Sequence, residues 1–456
     1  MAIKKLLIAN RGEIAVRIIN AAKKLHIPTV LACSEIDVDS LAAKIADQIE
    51  VLGPARSEHS YLNIPAVIAA AQRCGADAVH PGYGFLAENA IFAQAVVDAG
   101  LIFVGPQPET IARMGDKALA RSAAQAAGVP VVPGSVGEVW NLDEAQRCAS
   151  SIGFPLLIKA SAGGGGRGIR HAYSSETLTY ELPIAQSEAQ AAFGHNGVYL
   201  ERFITNARHI EVQILGDGNK VIHLYERECS LQRRRQKILE EAPSPAITPE
   251  LRQALCQSAV NLAQSINYLG AGTIEYLVDT DSGEFFFIEM NTRIQVEHPI
   301  SEMITGVDIV AWMLRIAGGE PLSLDQQQIH INGAALEMRL NAEDPERNFF
   351  PCPGTVNELY WPQGEGIRID SHLYEGYRIP PYYDSLLAKV VIHATNRPKA
   401  LQLAAQVLGD IRLSGMKTTL PLHQRLLASD FLAAGDFHTN SLESWLTAAT
   451  VVTEEY

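Results

Sequence analysis

The sequence predicts an α/β protein that also contains antiparallel elements. Short apolar runs alternate with amphipathic segments over residues 1–114, a hairpin with a polar face spans 273–297, and prolines punctuate a β-rich stretch after 331. A chain of 456 residues is too long for one hydrophobic core. We therefore expect three domains, at 1–114, 115–330 and 331–446, with a small mobile unit at about 131–203 inside the second.

The first domain is predicted to contain a parallel sheet. Leu6–Ala9 and Thr29–Cys33 have the apolar character of buried strands, and Glu13–Leu25 is an amphipathic helix between them. Such a βαβ series places helices on both faces and ligands beyond the carboxyl ends of the strands. The Gly-rich segment His80–Phe85 follows one such end, ahead of Glu88. It borders a small-molecule site or is a tight loop with its aromatic residues in the core.

A glycine-rich loop separates two extended segments of the second domain. The strand Pro155–Ala160 carries Lys159 and leads into Gly163–Gly168, which fits the pattern GxGxxG. Neither the helix of a dinucleotide fingerprint nor the Gly-Lys-Ser/Thr of a Walker loop follows. The arrangement indicates a hairpin lid whose N–H groups close over phosphates, with a disordered surface loop as the alternative. Pro183 is expected to kink or split the next helix, Ser175–Phe193.

The polar hairpin carries the pattern that is richest in chemistry. Thr273–Val278 is one strand, turn residues follow, and Phe285–His298 opens as a second strand. If the second strand stays extended, one face carries Glu289, Asn291, Arg293, Gln295 and Glu297. The turn brings Glu275 opposite Glu289, and two facing carboxylates are destabilising unless a cation lies between them. The pattern predicts a magnesium site, with a solvated face whose acids pair with Arg293 as the alternative.

Two other segments of this domain place charges in a pattern. Arg208–Leu215 alternates strictly, with His209, Glu211 and Gln213 on one face. Gln232–Lys237 is a basic cluster in an acidic protein. An anion pocket opposite the acidic hairpin is one interpretation of this cluster, and nucleic-acid binding or a solvated charge run are the others.

Composition argues against several classes of protein. Lysine and arginine number 37 against 51 acidic residues, a net charge of −14 that disfavours general polyanion binding. The six cysteines show no CxxC spacing, so neither a zinc site nor a disulfide framework is expected. The first apolar run stops after four residues and no run approaches the ~18 residues of a membrane span. These observations favour a cytoplasmic protein.

Long motifs in a fixed order resemble the biotin carboxylase component of the biotin-dependent carboxylases, within the ATP-grasp group. They are IANRGEIAVRI, HPGYGFLAEN, MGDK, the Gly-rich loop, ERECSLQRRRQK, EEAPSP, FIEMNTRIQVEHP and RLNAEDP. The resemblance runs from Leu6 to about Leu446. It implies a Rossmann-like pre-ATP-grasp domain, an ATP-grasp domain with a mobile lid, and a β-rich C-terminal biotin carboxylase domain.

The resemblance also implies a reaction and its participants. ATP phosphorylates bicarbonate to carboxyphosphate, and the CO₂ is transferred to N1′ of biotin on a biotin carboxyl carrier protein. The implied cofactors are ATP and two Mg²⁺ or Mn²⁺ ions, with biotin as the carrier-bound substrate. The implied partners are the carrier, carboxyltransferase subunits and a second copy in a homodimer, without nucleic acid or membrane. No biotin-attachment motif is recognisable, so the carrier is expected to be a separate chain.

Alternatives remain open at this point. The implied pathway is the first half-reaction of an acetyl-CoA carboxylase in fatty acid biosynthesis. A different biotin-dependent carboxylase, another ATP-grasp ligase and a non-catalytic nucleotide-binding subunit are the alternatives.

The resemblance assigns roles to individual residues. The metal ligands are Glu275, Glu289 and Asn291. The ATP-binding residues are Lys117, Lys159, Gly164, Gly165, Gly166, Ile169, Glu201, Arg202, Phe203, Ile204, His209, Gln232 and Leu277. Bicarbonate is bound by Lys237, Arg293, Gln295, Val296 and Glu297. Biotin is flanked by Tyr83 and Glu88, while Glu297 is the base and Arg339 stabilises the enolate form of biotin.

Three departures from the family pattern bear on these roles. Arg235 replaces the usual histidine of the QRRHQK pattern, which puts the phosphate contact there in question. Ala162 replaces a loop glycine and is expected to stiffen the loop slightly. Asn20, Lys24 and Glu365 occupy the region through which family dimers pack.

Overall fold

The computed structural model describes residues 2–160, 169–193 and 195–453. The chain forms two compact units, each of which has its own hydrophobic clusters. The larger comprises Met1–Val129, Arg208–Tyr276 and Glu289–Tyr456, and the smaller comprises Pro130–Ala207 and Leu277–Ile288. The mixed α/β class predicted from the sequence is confirmed.

The N-terminal part of the larger unit is a parallel sheet covered by helices. Its strands follow the order β3-β2-β1-β4-β5, and every pairing is parallel, as the βαβ series predicts. Helix α1 buries its apolar side, including Ile14 and Ile18, against this sheet. The elements are β1 Leu6–Ile8, α1 Gly12–Lys24, β2 Thr29–Ser34, α2 Leu41–Ile45, β3 Gln48–Gly53, α3 Ile64–Cys74, β4 Ala78–His80, α4 Ala90–Asp98, β5 Ile102–Phe103, α5 Pro108–Gly115 and α6 Lys117–Ala126.

The smaller unit contains a three-stranded antiparallel sheet in the order β7-β6-β8. Its main elements are α7 Leu142–Ile152, β6 Leu156–Ala160, β7 Ile169–Ala172, α8 Ser175–Phe193 and β8 Val198–Arg202. Of the two outcomes expected at Pro183, the split is wrong, because α8 continues through this residue, and the kink stays a prediction. Arg170 on β7 donates to Glu181 before the proline and to Glu188 after it, which holds both halves of the helix to the sheet.

An eight-stranded sheet joins the rest of the larger unit to the hairpin. Its strand order is β13-β12-β9-β10-β11-β14-β19-β18, so strands from the middle and the end of the chain share one sheet. The elements up to residue 341 are β9 Ala207–Asp217, β10 Val221–Arg233, β11 Gln236–Ala242, α9 Pro249–Ser265, β12 Leu269–Asp279, β13 Phe285–Asn291, α10 His298–Thr305, α11 Ile309–Ala317 and β14 Ala334–Asn341.

The C-terminal part of the larger unit combines short strands with helices. Helix α12 packs on β14 and β19 and completes a buried apolar cluster that includes Leu336, Val390 and Leu408. The elements are β15 Glu343–Asp344, β16 Phe350–Pro351, β17 Glu358–Tyr360, β18 Ile367–Ser371, β19 Leu386–Ala394, α12 Arg397–Asp410, β20 Arg412–Ser414, α13 Leu420–Leu427, α14 Asp430–Ala434 and α15 Ser441–Thr453.

The second strand of the polar hairpin is shorter than an extended segment through Glu297 requires. Strand β13 ends at Asn291, and α10 begins at His298 with a proline in its first turn. The segment between them turns, because the carbonyl of Gln295 accepts from the ring of His298 at 2.6 Å and the backbone then enters the helix. The alternating face therefore ends at Asn291, and the later polar residues reach the site from a loop.

None of the helices in the described part of the chain combines the length and the apolar character that crossing a bilayer requires.

Candidate active site

Two of the polar hairpin residues converge on the carboxylate of a third. Glu275, on β12, accepts hydrogen bonds from the side-chain amides of Asn291 at 3.0 Å and Gln295 at 2.9 Å. All three side chains are buried. Burial alone raises the pKa of Glu275, but the positive charges of Lys237 and His209 hold it well below its ordinary value. Glu275 is therefore a buried carboxylate that stays ionised at neutral pH.

Glu289 lies beside this group on the open side of the hairpin. Desolvation and the neighbouring charge of Glu275 raise the pKa of Glu289, while Lys117 opposes them. Lys117 is the first residue of α6, which Asp116 caps by accepting from two backbone N–H groups. Two carboxylates that repel each other, next to an amide oxygen, form an oxygen donor set of the kind that binds Mg²⁺. Glu275, Glu289 and Asn291 thus fit a divalent cation.

Two cations face the same acidic group from the opposite side. His209 lies 3.3 Å from Glu275 and 3.8 Å from Glu211, and although burial lowers its pKa, Glu275 raises it to about 9. Lys237 lies 2.5 Å from Glu211, 3.0 Å from Glu275 and 2.6 Å from Glu297. Burial lowers the pKa of Lys237, but these carboxylates raise it well above its usual range. Both side chains are therefore positively charged at neutral pH.

Glu297 lies between Lys237 and an arginine from a distant strand. Arg339, on β14, donates to Glu297 at 2.9 Å and to Glu240 on β11 at 2.6 Å. Burial and the charge of Glu211 raise the pKa of Glu297, but Lys237 and Arg339 lower it below its ordinary value. Glu297 is consequently a carboxylate with two cationic partners, and we call Glu211, Lys237, Glu275, Glu297 and Arg339 the charge cluster.

The segment after β4 reaches the same region of the larger unit. Glu88 accepts from the guanidinium of Arg293 at 2.8 Å and from the backbone N–H of Thr292 at 3.2 Å. Arg293 also donates to the side chain of Asn291 at 2.9 Å. Tyr83 donates its hydroxyl to Glu13 on α1, while Phe85 stacks on Tyr61 with ring centroids 4.8 Å apart. Phe85 thus packs against another aromatic ring, as the tight-loop interpretation of this segment requires. Tyr83 instead makes a hydrogen bond through its hydroxyl.

The smaller unit collects several of the residues assigned to ATP. Lys159 on β6 pairs with Glu201 on β8, and Ile169 on β7 lies opposite Lys159 in the sheet. These three side chains share one face, because residues opposite each other in a sheet point to the same side. Phe203 contacts His171 with ring centroids 4.7 Å apart, and Arg202 pairs with Glu284 at 3.2 Å. Ile204 and Leu277 pack in one apolar cluster.

Not every assigned residue can be placed in this way. Gly164, Gly165 and Gly166, and the substituted Ala162, lie outside the described residues. Gln232 lies opposite Lys237 and donates to the carbonyl of Cys229 at 2.8 Å. Of the basic cluster, Lys237 joins the charge cluster, while Arg233 and Arg234 donate to Asn348 at 3.2 and 3.3 Å. Arg235 is exposed in the β10–β11 turn, where its φ is +66°.

Sequence reasoning missed the buried residues that hold this site together. Arg227 is fully buried and donates to Glu211 at 2.5 Å and to Gln295 at 2.8 Å. Glu240 accepts from Arg339, and burial raises the pKa of Glu240 to about 7. Lys389 is fully buried on β19 and donates to the carbonyl of Val296 at 3.0 Å. A charged residue inside an apolar strand, as in LLAKVVI around Lys389, is the signal that was available.

Comparisons with known proteins account for most of the chain. The family model "Biotin carboxylase, N-terminal domain" matches residues 2–111, and "Biotin carboxylase C-terminal domain" matches 337–444. Between them, "Carbamoyl-phosphate synthase L chain, ATP binding domain" matches 116–325. The biotin carboxylase of Pseudomonas aeruginosa is 50% identical over 446 residues, which cover 97% of this chain and 99% of that protein. The chain belongs to the biotin carboxylase family.

Other relatives agree with this assignment. Biotin carboxylase 1 of Bacillus subtilis is 48% identical over 444 residues, covering 97% of this chain and 99% of that protein. The chloroplastic biotin carboxylase of Arabidopsis thaliana is 50% identical over 425 residues, covering 93% of this chain and 79% of that protein. The chain is thus an ATP-dependent ligase that carboxylates biotin.

Solved structures of biotin carboxylases have the same fold. The biotin carboxylase domain of a thermophilic 2-oxoglutarate carboxylase, bound to bicarbonate, matches with a TM-score of 0.93 and 45% identity, covering 97% of this chain and 98% of that one. The same domain from Hydrogenobacter thermophilus, a dimer with MgADP, ADP and bicarbonate, has a TM-score of 0.87 and 47% identity at the same coverage. The biotin carboxylase subunit of a pyruvate carboxylase gives 0.89 and 47%, again at the same coverage.

Proposed function

We propose that this biotin carboxylase works through carboxyphosphate and that Glu297 is the base that activates bicarbonate. The observation that carries the proposal is the position of Glu297, 2.6 Å from the ammonium of Lys237 and 2.9 Å from the guanidinium of Arg339. A carboxylate between two fixed cations is ionised, and the same cations attract an anionic substrate to it. The proton of bicarbonate would pass to Glu297 while a bicarbonate oxygen attacks the γ-phosphorus of ATP.

The bicarbonate pocket is formed by side chains around this base. Arg293 presents a planar guanidinium that suits a planar anion through two parallel hydrogen bonds. Gln295 is held by Arg227 through its oxygen and by Glu275 through its nitrogen, so its orientation is fixed. Together with Lys237 and the Val296 backbone, these groups would hold bicarbonate against Glu297. Because their positions exist before substrate arrives, little reorganisation is needed during the reaction.

Glu275, Glu289 and Asn291 would hold two Mg²⁺ or Mn²⁺ ions with the phosphates of ATP. The ions would neutralise charge on the transferred phosphoryl group. His209 and Lys117 are cationic groups at the same edge, and they would contact phosphate oxygens. In the smaller unit, Lys159 would contact further phosphates. We assign the adenine contacts to Ile169, Glu201, Arg202, Phe203, Ile204 and Leu277, and further ATP contacts to Gln232, Gly164, Gly165 and Gly166.

Biotin would react on the side of the site formed by Arg339, Tyr83 and Glu88. The guanidinium of Arg339 keeps its charge at every physiological pH, which suits the developing negative charge on the ureido oxygen of biotin. Its two carboxylate partners, Glu240 and Glu297, orient it from both ends. Carboxyphosphate would then break its bond between carbon and the bridging oxygen to give CO₂ and phosphate, the N1′ proton of biotin would pass to that phosphate, and N1′ would form the new bond to the carbon of CO₂. Carboxyphosphate is labile in water, so a closing lid at about 131–203 would exclude solvent.

The domain roles and the partners follow from the same proposal. Residues 1–114 would form the N-terminal domain, 115–330 the ATP-grasp domain and 331–446 the C-terminal domain. The biotin would be delivered by a carrier protein and used by carboxyltransferase subunits, with this chain as a homodimer. The solved dimer of the 2-oxoglutarate carboxylase domain supports the dimer proposal. Asn20 and Glu365, which lie in the region through which family dimers pack, are exposed in this chain and would be available for such a contact.

Two classes of final acceptor compete. Acetyl-CoA is the acceptor that we propose, as in acyl-CoA carboxylases. A 2-oxo acid is the second candidate, because similar solved structures come from 2-oxoglutarate and pyruvate carboxylases. Purifying the chain with its natural transferase subunits and supplying acetyl-CoA, pyruvate or 2-oxoglutarate separates the two. Consumption of carboxybiotin with a 2-oxo acid alone would contradict the first choice.

The direct test of the mechanism uses the purified chain with ATP, Mg²⁺, labelled bicarbonate and a high concentration of free biotin. We expect labelled carboxybiotin and stoichiometric phosphate, because every proposed reacting group lies in this one chain. ATP binding without incorporation of label would contradict the proposal.

A further inference from the structure

A buried ion pair lies beneath the two halves of the candidate site. Glu13, on α1, and Lys389, on β19, are both almost fully excluded from solvent, and the carboxylate and ammonium groups lie 3.0 Å apart. Neither residue belongs to the proposed sets of substrate or metal ligands. Two opposite charges without solvent are costly to bury unless their remaining hydrogen-bonding groups are also satisfied. The contacts of Glu13 and Lys389 with the surrounding residues therefore indicate what the pair does.

On one side, the ion pair holds the biotin-side tyrosine. The hydroxyl of Tyr83 donates to one carboxylate oxygen of Glu13, and the other oxygen faces Lys389. Tyr83 is the residue that the proposed function places beside biotin. Its phenol is therefore anchored from below by a charged acceptor, which strengthens and orients the hydrogen bond.

On the other side, the ion pair holds the backbone next to the proposed base. The ammonium of Lys389 donates to the carbonyl of Val296 at 3.0 Å. The carbonyl of Val296 and the N–H of Glu297 belong to the same planar peptide unit. Lys389 thus fixes the orientation of the peptide from which the Glu297 side chain departs. Two further carboxylates interact with the charge of Lys389, namely Asp370 on β18 at 3.8 Å and the buried Glu337 on β14.

We propose that Glu13 and Lys389 are positioning residues that couple the biotin side of the site, at Tyr83, to the bicarbonate side, at Val296 and Glu297. This inference rests on the proposed function. Hydrogen bonds and one ion pair connect Tyr83, Glu13, Lys389 and Val296 without a gap. The four residues come from four separate segments of the sequence. A shift of the phenol changes how strongly Glu13 attracts Lys389, and this changes the hold of Lys389 on the peptide at Val296. Occupation of the biotin side is in this way transmitted to the base.

The decisive experiment is Tyr83→Phe, which removes a single hydroxyl, with the thermal unfolding midpoint measured alongside to check that the fold is retained. We measure ATP cleavage as a function of bicarbonate in the complete absence of biotin. Coupling predicts that the KM for bicarbonate rises about threefold or more, a change typical of residues that act through a network, while the KM for ATP is unchanged. A residue that only contacts biotin has no effect in this assay. An unchanged KM for bicarbonate in Tyr83→Phe overturns the inference.

A second variant tests the ion pair itself. The double substitution Glu13→Gln with Lys389→Met removes both charges, so no unpaired charge remains buried. We expect the KM for both bicarbonate and biotin to rise, and Tyr83→Phe to have no further effect on bicarbonate when added to it. The control is Glu241→Gln with Arg397→Met, which removes another ion pair, 2.5 Å apart, with a buried glutamate and a partly exposed arginine, and without a contact to Tyr83 or Val296 among their hydrogen bonds. Equal kinetics in the two double variants overturn the inference.

Different results would contradict the proposed function and the coupling. If the unaltered chain does not carboxylate biotin, or if Glu297→Gln keeps full activity, the proposed function is wrong. If the unaltered chain is active and Glu297→Gln is not, but Tyr83→Phe leaves the KM for bicarbonate unchanged, only the coupling is wrong.

Discussion

The charge cluster of the larger unit and the face of the smaller unit that carries Lys159 and Glu201, for which we propose ATP binding, hold their charged side chains differently. In the larger unit Glu297 is 2% exposed and Lys237 is 12% exposed, and each meets several opposite charges. In the smaller unit Lys159 is 36% exposed and its partner Glu201 is 20% exposed. Several ion pairs to one side chain fix its position, which suits groups that we propose to take part in proton and phosphoryl transfer. Exposed pairs are weak and can exchange partners, which suits residues that release product.

This difference orders the consequences of substitution. Groups inside the charge cluster are expected to affect the chemical steps, and groups on the smaller unit are expected to affect the apparent affinity for ATP. Four substitutions test this, and they are arranged from the largest expected effect to the smallest.

Glu297→Gln is expected to have the largest effect. The amide keeps the size of the side chain but cannot accept the bicarbonate proton. Both bicarbonate-dependent ATP cleavage and biotin carboxylation should fall by about 10²-fold or more, the usual contribution of a general base. Phosphate release and carboxybiotin are measured in parallel. The control is Glu343→Gln, a partly buried glutamate whose hydrogen-bond donors Ser385 and Asn341 lie outside the site. Retained phosphate release in Glu297→Gln would contradict the role of the base.

Arg339→Met is expected to separate the two reactions. Methionine preserves packing but lacks the charge that stabilises the enolate, and an interaction made late lowers the late step most. Carboxybiotin formation should fall by about 10²-fold, while biotin-independent ATP cleavage should change by only about threefold. Arg412→Met, at an exposed arginine on β20, is the matched control. Equal loss of both reactions would place Arg339 in the bicarbonate step instead.

Lys159→Met tests the smaller unit. Because Lys159 is partly exposed and is proposed to contact phosphate, its loss should raise the KM for ATP by about tenfold, equivalent to about 1.4 kcal/mol, and leave kcat within about threefold. The KM for bicarbonate should not change. Arg147→Met, an exposed cation on α7, controls for the loss of charge. A large fall in kcat with an unchanged KM for ATP would contradict the expectation that the smaller unit affects the apparent affinity for ATP and not the chemical steps.

The smallest effect is expected for Asp370, and it concerns how the free energy of unfolding changes at acid pH. Burial raises the pKa of Asp370, but Arg368 and Lys389 lower it to about 2. A folded pKa below the unfolded value contributes stability that is present above about pH 4 and is lost as the pH falls towards 2. Asp370→Asn should therefore remove about 2 kcal/mol at neutral pH and flatten the acid dependence of unfolding. Urea unfolding at pH 7 and pH 3 measures both. An equal free-energy loss at the two pH values would contradict the ion pairing.

Much of this protein could be predicted from its sequence. The parallel N-terminal sheet followed from the alternation of short apolar runs and amphipathic helices, and α8 begins and ends at the predicted residues, Ser175 and Phe193. The polar hairpin predicted Glu275 opposite Glu289, and in the structure burial and the charge of Glu275 raise the pKa of Glu289. The extension of β13 through Glu297 was wrong, because a period of two continues only while the backbone remains extended. The expected split at Pro183 was wrong, because α8 continues through it, and Arg170 ties the residues on both sides of the proline to one strand.

The sequence by itself determined the fold class, the family and the types of side chain that are proposed to react. These depend on local periodicity and on motifs that are contiguous in the chain. The tertiary structure decided which charges meet. Arg339 donates to Glu240, which is 99 residues away in the sequence, and Lys389 donates to Val296, which is 93 residues away. Hydrophobic patterning specifies which faces are buried, but a buried charge is stabilised only by a partner that the packed sheets bring to it.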